Sequence, residues 1–410
     1  MDREFDVIVW GATGFTGALV AEHLLARHGI NQGLRWAIGG RNQAKLEAVR
    51  DRLGEAAKEL PLVLGESLEL DSMRGLAKKT SVVCSTVGPY AKYGSPLVQA
   101  CAETGTDYCD LTGEIHWMQQ MIETHEETAR ESGSRLVPTC GFDCIPADLG
   151  TWFVQQEMQR RHGTAASLIK MRVQGFSGAA SGGTVASMLN MLEEARKDPS
   201  VMRAMREPYA LNAASERSGP DGREVMTPFY DPDFGEWIGP FMMAGVDTKV
   251  VRRSNALLDY AYGRDFQYNE GMLTGAGPRG ALKASAMAAG IMGGTAAMML
   301  GPIRNSVGKR MPAPGEGPSQ HQRESGFFDI RFHAAHPTDA THSLKARVTG
   351  DRDPGYGATS KMLGEAAACL AVDDRTVGGG FWTPATAGGE ALLRRLRDHA
   401  GMTFAIVDTP

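Results

Sequence analysis

Apolar positions in the first third of the chain fall into two alternating spacings. Residues 5–10 read as an apolar strand interrupted only by Asp6, and Leu19, Val20, Leu24 and Leu25 then recur at helical spacing until Gly29 ends the run as a C-cap. The same exchange repeats. Strands are predicted over 36–38, 62–64, 81–87, 107–111 and 135–138, and helices over 43–53, 72–78, 97–104 and 115–131. Pro146 suits the first turn of a further helix. Strands separated by helices imply right-handed crossovers and a parallel sheet, hence an α/β, doubly wound architecture. The second half reads differently. Residues 167–175, 327–335 and 343–349 alternate with period two, the last two pairing as antiparallel strands. A glycine-rich turn over 178–183 precedes a helix containing Met188, Leu189, Met191 and Leu192. Residues 212–239 read as an irregular loop over the active-site side, 357–370 as a helix, 383–389 as a glycine–proline turn, and 390–399 as the last helix. The second part is thus a separate α+β domain with an antiparallel or mixed sheet.

The first strand runs directly into Gly11-Ala-Thr-Gly-Phe-Thr-Gly17 and then into a helix. In such a unit the first glycine permits a tight turn, the second admits a dinucleotide pyrophosphate to the backbone, and the third lets helix and strand pack closely. The helix N-terminus faces the phosphates. Gly11, Ala12, Thr13, Gly14, Phe15, Thr16 and Gly17 are therefore candidate cofactor-binding residues, set against a turn kept only for packing. The second strand ends at Gly39-Gly40-Arg41, where an NAD site would carry an acid for the ribose 2′-hydroxyl. Arg41, with Lys45 one turn on, suits a 2′-phosphate instead, so NADP(H) is the expected cofactor. A merely solvated helix end is the plainer reading of the two cations. Asp71 is read either as a contact to the adenine edge or as an ordinary acid in a first helical turn.

The fourth strand ends in Val87-Gly88-Pro89-Tyr90, followed by Tyr93. Carboxyl ends of strands beside the topological switch hold the nicotinamide half of a dinucleotide. Val87, Gly88 and Pro89 are expected to shape the backbone there, and Tyr90 and Tyr93 are candidate catalytic residues. The alternative for Tyr90 is a packed turn residue. Asp143, at the end of the sixth strand, is the third catalytic candidate, with helix capping as its other reading. Cys140 and Cys144 lack further His or Cys ligands, so no metal site is expected.

Length and composition refine this picture. A chain of 410 residues supports two domains, and a net charge of −5 gives no reason to expect nucleic acid. The six cysteines form no CxxC pair and no secretory leader precedes the first strand, which points to a reducing cytoplasm. Residues 284–300 (ASAMAAGIMGGTAAMML) carry no charge and are flanked by Lys283, Arg304, Lys309 and Arg310. The run is glycine-broken and shorter than the ~20 residues a membrane span needs. Three readings stand: a buried helix, an interface or lipid-gathering surface, and an anchor. The proline- and glycine-rich stretch 311–322 behind it is expected to be a mobile linker.

Gly11-Ala-Thr-Gly-Phe-Thr-Gly17, Gly39-Gly-Arg41, Val87-Gly-Pro-Tyr90, Asp110-Leu-Thr-Gly-Glu114 and Gly141-Phe-Asp-Cys-Ile-Pro-Ala-Asp148 occur together and in this order. As a set they resemble the saccharopine dehydrogenase-like oxidoreductases, and within them the actinobacterial trans-acting enoyl reductases, which act on polyketide-derived lipids. Gly355-Tyr-Gly-Ala-Thr-Ser-Lys361 and Gly379-Gly-Phe-Trp-Thr-Pro384 resemble the C-terminal region of that family. The resemblance implies a Rossmann-type NADP-binding domain over 1–150, an α+β substrate domain over 151–355, and a segment 356–410 that returns to the first domain. It implies an NADPH-dependent enoyl reductase with an apolar lipid-like substrate, and peripheral membrane or synthase association and homo-oligomerisation are partners to test. Two alternatives are carried: a saccharopine-type imine dehydrogenase, for which Arg172, Arg252, Arg253 and Arg331 would hold substrate carboxylates, and a non-catalytic NADP-binding protein on lipid. Arg331 and His333 read equally as substrate contacts or solvated sheet positions. A short-chain dehydrogenase mechanism is disfavoured, because no Tyr has a Lys four residues later.

Overall fold

The computed structural model describes residues 3–30, 32–178, 182–298, 301–302, 306 and 317–407. The first sheet is built from β1 (Phe5–Trp10), β2 (Trp36–Gly40), β3 (Leu62–Leu64), β4 (Thr80–Ser85), β5 (Asp107–Cys109) and β6 (Arg135–Val137), ordered 3-2-1-4-5-6 and parallel throughout. Val7 and Val9 of β1 point to one face, and Ile8 and Trp10 to the other; all four are buried. Both faces are covered, which is why apolar residues fill successive positions of β1 from Val7 to Trp10. Helices α1 (Phe15–His28) and α2 (Gln43–Arg52) lie on the first face, and α3 (Leu70–Ala77), α5 (Ser95–Thr104) and α6 (Ile115–Ser132) on the second, with the short α4 (Tyr90–Tyr93) at the end of β4.

Helix α7 (Ile145–His162) leads to the second sheet. Gly150 permits the closest approach: a Cβ there would stand 2.5 Å from the Phe332 ring. That sheet contains β7 (Leu168–Ser177), β8 (Phe229–Asp231), β9 (Glu236–Gly239), β10 (Gln267–Gly275), β11 (Phe327–Ala335) and β12 (Leu344–Gly350). β7 and β10 pair in parallel and the other pairs are antiparallel, so the sheet is mixed. Around it stand α8 (Gly182–Lys197), α9 (Pro199–Arg206), α10 (Ala244–Leu257), α11 (Gly277–Met298) and α12 (Gln320–Glu324). The last stretch serves both sheets. Helix α13 (Thr359–Val372) packs on α1, β1 and β4 of the first sheet. Gly380–Phe381 (β13) extends that sheet beside β6, α14 (Pro384–His399) follows, and Met402–Val407 (β14) closes the edge of the second sheet beside β12.

Three local expectations are corrected. Residues 229–239 form the β8–β9 hairpin rather than loop alone. Residues 383–389 are not a turn: Thr383 and Thr386 make a reciprocal capping box with Pro384 in the first turn, and α14 runs from there with a kink at Gly389. Residues 320–322 of the expected linker open α12, which has its own capping box at Ser319 and Gln322; residues 311–316 lie outside the described residues. Of the predicted glycine turn, residues 179–181 also lie outside them.

Candidate functional site

The nucleotide end of the site is built by three glycines that do different work. Gly11 has φ +91°, and a Cβ there would press within 2.6 Å of Val87. A Cβ on Gly17 would stand 2.4 Å from the Gly11 carbonyl oxygen, so helix and strand could not approach as they do. Gly14 is different. Its Cβ position meets only the Gly11 oxygen, at 3.3 Å, leaving the backbone open on its outer side. Gly14 is also the N-cap of α1, with no side chain bonding the first turn and no acid in it. Such a helix start offers unpaired N–H donors and the positive end of the dipole to an anion. Ala12 is buried beneath the turn, Thr13 is exposed above it, and Phe15 and Thr16 are half-buried. Phe15 is held from the C-terminal side, with Tyr356 edge-on at 5.3 Å and the Arg323 guanidinium 5.5 Å from its ring.

At the end of β2, Arg41 and Lys45 both stand exposed, and neither pairs with a carboxylate of the described residues. Asn42, between them, caps α2 by accepting the Lys45 N–H at 3.0 Å. A cation left without an internal partner beside the strand end fits a 2′-phosphate. Asp71 lies in the first turn of α3, 94% exposed, and pairs with Arg74 at 2.9 Å.

The other side of the candidate site is a lattice of three strand ends. Thr86 Oγ1 donates to the carbonyls of Trp10 and Gly11 at 3.2 Å, tying β4 to the glycine turn. Glu114, buried, accepts the N–H groups of Tyr90 and Ala91, both at 2.9 Å, and so fixes the Val87–Pro89 turn and α4. Asp110 accepts from Thr112 N and Thr139 N at 3.0 Å and from the Tyr108 hydroxyl at 2.7 Å. Burial pushes its carboxyl up to about 6 despite these donors. Thr139 takes φ +65°, a conformation a branched residue rarely adopts, and the bond to Asp110 holds it there. Glu114, Asp110 and Thr139 were in or beside the sequence motifs, yet their roles depend on contacts across strands that spacing does not reveal.

The three catalytic candidates separate here. Tyr90 is 3% exposed, its hydroxyl donates to the Ser85 carbonyl at 3.1 Å, and its ring packs on Trp117. That placement matches the packed-turn reading. Tyr93 is half-buried on α4, and its hydroxyl makes no bond to a described residue. Asp143 sits in the loop between β6 and α7, where Cys144 is the N-cap, so it does not cap that helix. One carboxylate oxygen stands 3.8 Å from the Cβ position of Gly113, and burial pushes its pKa up to about 6. Behind it, Cys144 Sγ donates to Asp247 at 3.6 Å, and the Tyr268 hydroxyl donates to Glu270 at 2.8 Å. Asp247 and Glu270 are both buried; burial pushes Glu270 up to about 8. Neither was singled out from the sequence, where each is one acid among 48.

The second domain reaches this lattice through Ser187 of α8, whose Oγ is 3.4 Å from the Cβ position of Gly88, and Val246 of α10, 3.7 Å from that of Gly113. Its arginines point elsewhere. Arg172 is buried against Asp231 at 2.8 Å, Arg252 against Asp221 at 2.7 Å, and Arg253 donates to the Phe381 carbonyl at 2.7 Å. Arg331 and His333 lie on the face of β11 opposite to Phe328 and Phe332, the residues that pack toward α7. They are sheet positions on the outer face and do not meet the strand-end lattice. Among the described residues, no cluster of three His, Cys, Asp or Glu could hold a metal ion.

A parallel 3-2-1-4-5-6 sheet, a glycine cradle at an uncapped helix start and an unpaired arginine after β2 define an NADP(H)-binding oxidoreductase. Residues 7–137 match the family model of the saccharopine dehydrogenase NADP-binding domain. The trans-acting enoyl reductase of Mycobacterium ulcerans is 36% identical over 96% of each chain, and a Mycobacterium tuberculosis protein provisionally given the same name is 39% identical over 96% of each. The saccharopine dehydrogenase (L-Glu forming) of Saccharomyces cerevisiae shares the fold at a TM-score of 0.54, 13% identity and 98% and 99% coverage. The chain belongs to the saccharopine dehydrogenase-like family, in its trans-acting enoyl reductase branch.

Proposed function

We propose that this protein is an NADPH-dependent enoyl reductase that saturates a conjugated carbon–carbon double bond in a polyketide- or lipid-derived substrate. The observation that carries the reading is identity of 36–39% along 96% of the chain with proteins of that name. NADPH, when bound, supplies the hydride that reaches the electrophilic carbon of the double bond. Gly11 to Gly17 would hold its pyrophosphate, Arg41 and Lys45 its 2′-phosphate, and Val87, Gly88 and Pro89 the turn beside its nicotinamide.

The chain's own part is to orient, to polarise and to deliver one proton. Asp143 is assigned as the acid. Held protonated below about pH 6 by burial, its carboxyl donates to the conjugated carbonyl oxygen and then releases its proton to the carbon next to it, leaving a carboxylate that is reprotonated from water. Hydride plus proton account for the two hydrogens gained. Tyr93, on the short α4 that follows the β4 turn, is the second candidate donor. Tyr90 and Glu114 act as positioning residues for the turn.

The imine-dehydrogenase reading needs several cations free to hold carboxylates. Arg172 and Arg252 are bonded within the second domain, Arg253 is held by the Phe381 carbonyl and Glu126 of the first, and Arg331 is turned away, which favours an apolar substrate. Partners are read accordingly: a lipid-like substrate, handed over by a synthase or met at a membrane surface, with a second copy of the chain as a further partner. The test is NADPH consumption with α,β-unsaturated acyl thioesters of rising chain length against a 2-oxo acid plus an amino acid. Turnover that improves with chain length is expected. Turnover confined to the oxo-acid pair, or NADPH binding with none, would overturn the reading.

A further inference from the structure

Helix α11 begins as part of the second domain and ends outside it. Gly280, Ala284 and Ala288 are buried, and the Met287 sulfur lies 2.8 Å from the Cβ position of Gly239 on β9. Beyond Ala288 no described side chain of the helix is buried. Cβ atoms placed on Gly290, Gly293 and Gly294 would meet none of the described residues within 4 Å, and Met292 is 58% exposed. Residues 289–298, ~15 Å of helix at ~1.5 Å per residue, therefore project from the domain. They carry no charge, and Thr295 supplies their one hydroxyl.

Two features say what covers this end. A helix that docks on protein presents one apolar stripe and keeps the opposite face polar, whereas residues 289–298 are uncharged on every side, the pattern of a helix immersed in an apolar medium. The charge around it is also one-sided. Between Glu270 and Glu316 there is no acid, while Arg279, Lys283, Arg304, Lys309 and Arg310 make this the cationic stretch of a chain whose net charge is −5. Arg279 and Lys283 are exposed on α11 itself and unpaired with any described carboxylate. Each cation near an anionic leaflet adds ~1 kcal/mol of attraction. No helix among the described residues is long and apolar enough to cross a membrane, and ~15 Å is about half a bilayer's hydrocarbon thickness.

We propose that the outer end of α11 enters the interface of an anionic lipid bilayer, with Arg279 and Lys283 at the headgroups. The contact deepens the reading of a lipid-derived substrate and rests on it for its purpose, but not for its test. The chain that follows α11 is back at the nucleotide turn by Gly317, whose Cβ position is 2.5 Å from the Phe15 ring. A bilayer-bound substrate and the cofactor site are thus served by neighbouring stretches of sequence.

The test uses the full-length protein and sedimentation with phosphatidylcholine vesicles, with and without phosphatidylglycerol. Wild type is expected to pellet with the anionic vesicles and to be released by high salt. The double variant Ile291→Glu/Met292→Glu should lose about tenfold or more in partitioning, since two apolar side chains are replaced by charges, while keeping its NADPH affinity. A second measurement labels Met292→Cys with an environment-sensitive dye; the six native cysteines are buried, so the label goes to one site. Its emission should shift to the blue on anionic vesicles. Wild type that stays in the supernatant, or a double variant that pellets equally, would overturn the proposal. So would a wild-type dimer in lipid-free solution that the double variant abolishes, which would assign this end to a second copy. None of these results depends on turnover, so the reaction can fail its own test while this contact stands.

Discussion

Arg41 is proposed to carry the choice of cofactor, because it is the first side chain after β2 and pairs with no carboxylate among the described residues. A hydrogen bond to a charged group contributes about 1.5–3 kcal/mol, so Arg41→Ala should lower NADPH affinity by roughly 10- to 100-fold and leave NADH affinity nearly unmoved. Fluorescence titration with both nucleotides reads this, and an unchanged ratio would contradict the assignment. Asp143 sets the expected pH dependence. Its folded pKa is raised to about 6 because burial penalises the anion, so the acid form is full below that value and lost above it. Burial is the cause of the shift, and no cation among the described residues offsets it. The wild-type rate should therefore fall above about pH 6, and Asp143→Asn should remove that limb and lower kcat by roughly 10²–10⁴ with NADPH affinity kept. A variant that retains the limb would move the acid's role to Tyr93. These residue-scale assignments were only half legible in the sequence. Arg41 is proposed from its position after a strand alone, whereas the surroundings of Asp143 include Gly113, in the loop between β5 and α6, a neighbour that sequence spacing does not reveal.

At the scale of elements, the first unit was legible because its signals are local: an apolar run, three glycines and a helix in 24 residues, Phe5 to His28. Gly17→Ala is the sharpest probe of that packing. Its methyl would stand 2.4 Å from the Gly11 carbonyl oxygen, and overpacking of this kind costs roughly 1–3 kcal/mol; chemical denaturation should show that loss together with loss of nucleotide binding. Elements made by distant partners were not legible. β13 has two residues and exists because β6 offers it an edge. β8 and β9 lie in a proline- and charge-rich stretch whose Asp231 is buried against Arg172 and Lys170 of β7. The weld between α1 and the C-terminal helices is another such case. Glu365 of α13, wholly buried, receives His23 of α1 at 2.8 Å and Arg395 of α14 at 3.2 Å. Burial alone would raise its pKa, but His23 and Arg395 outweigh it and the carboxyl is held below its usual range. A lowered folded value stabilises the native state above the ordinary carboxylate pKa, and the contribution is lost as pH falls through the folded value. Glu365→Ala should cost about 3 kcal/mol in denaturant unfolding at neutral pH, and proportionately less in acid. An equal cost at both would deny the carboxylate its role.

The whole molecule is two sheets stitched twice, once by α7 and once by the C-terminal stretch that gives β13 to one sheet and β14 to the other. The strand-end lattice of Thr86, Asp110, Glu114 and Thr139 lies in the first sheet, and Ser187 and Val246 approach it from the second domain. A parallel, doubly wound sheet was legible from the alternation of strand and helix spacing; its strand order was not. The orientation of the second sheet was not: period-two alternation gives two faces but not which one turns inward, and Arg331 and His333 turned outward. Enoyl reduction remains the central claim, and transfer of label tests it most directly. A single turnover of NADPH deuterated at the transferred position of C4 with a long-chain α,β-unsaturated thioester should give a saturated product with one deuterium at the carbon β to the carbonyl. An unsaturated thioester recovered without label, beside a deuterated amine formed from an imine substrate, would contradict it.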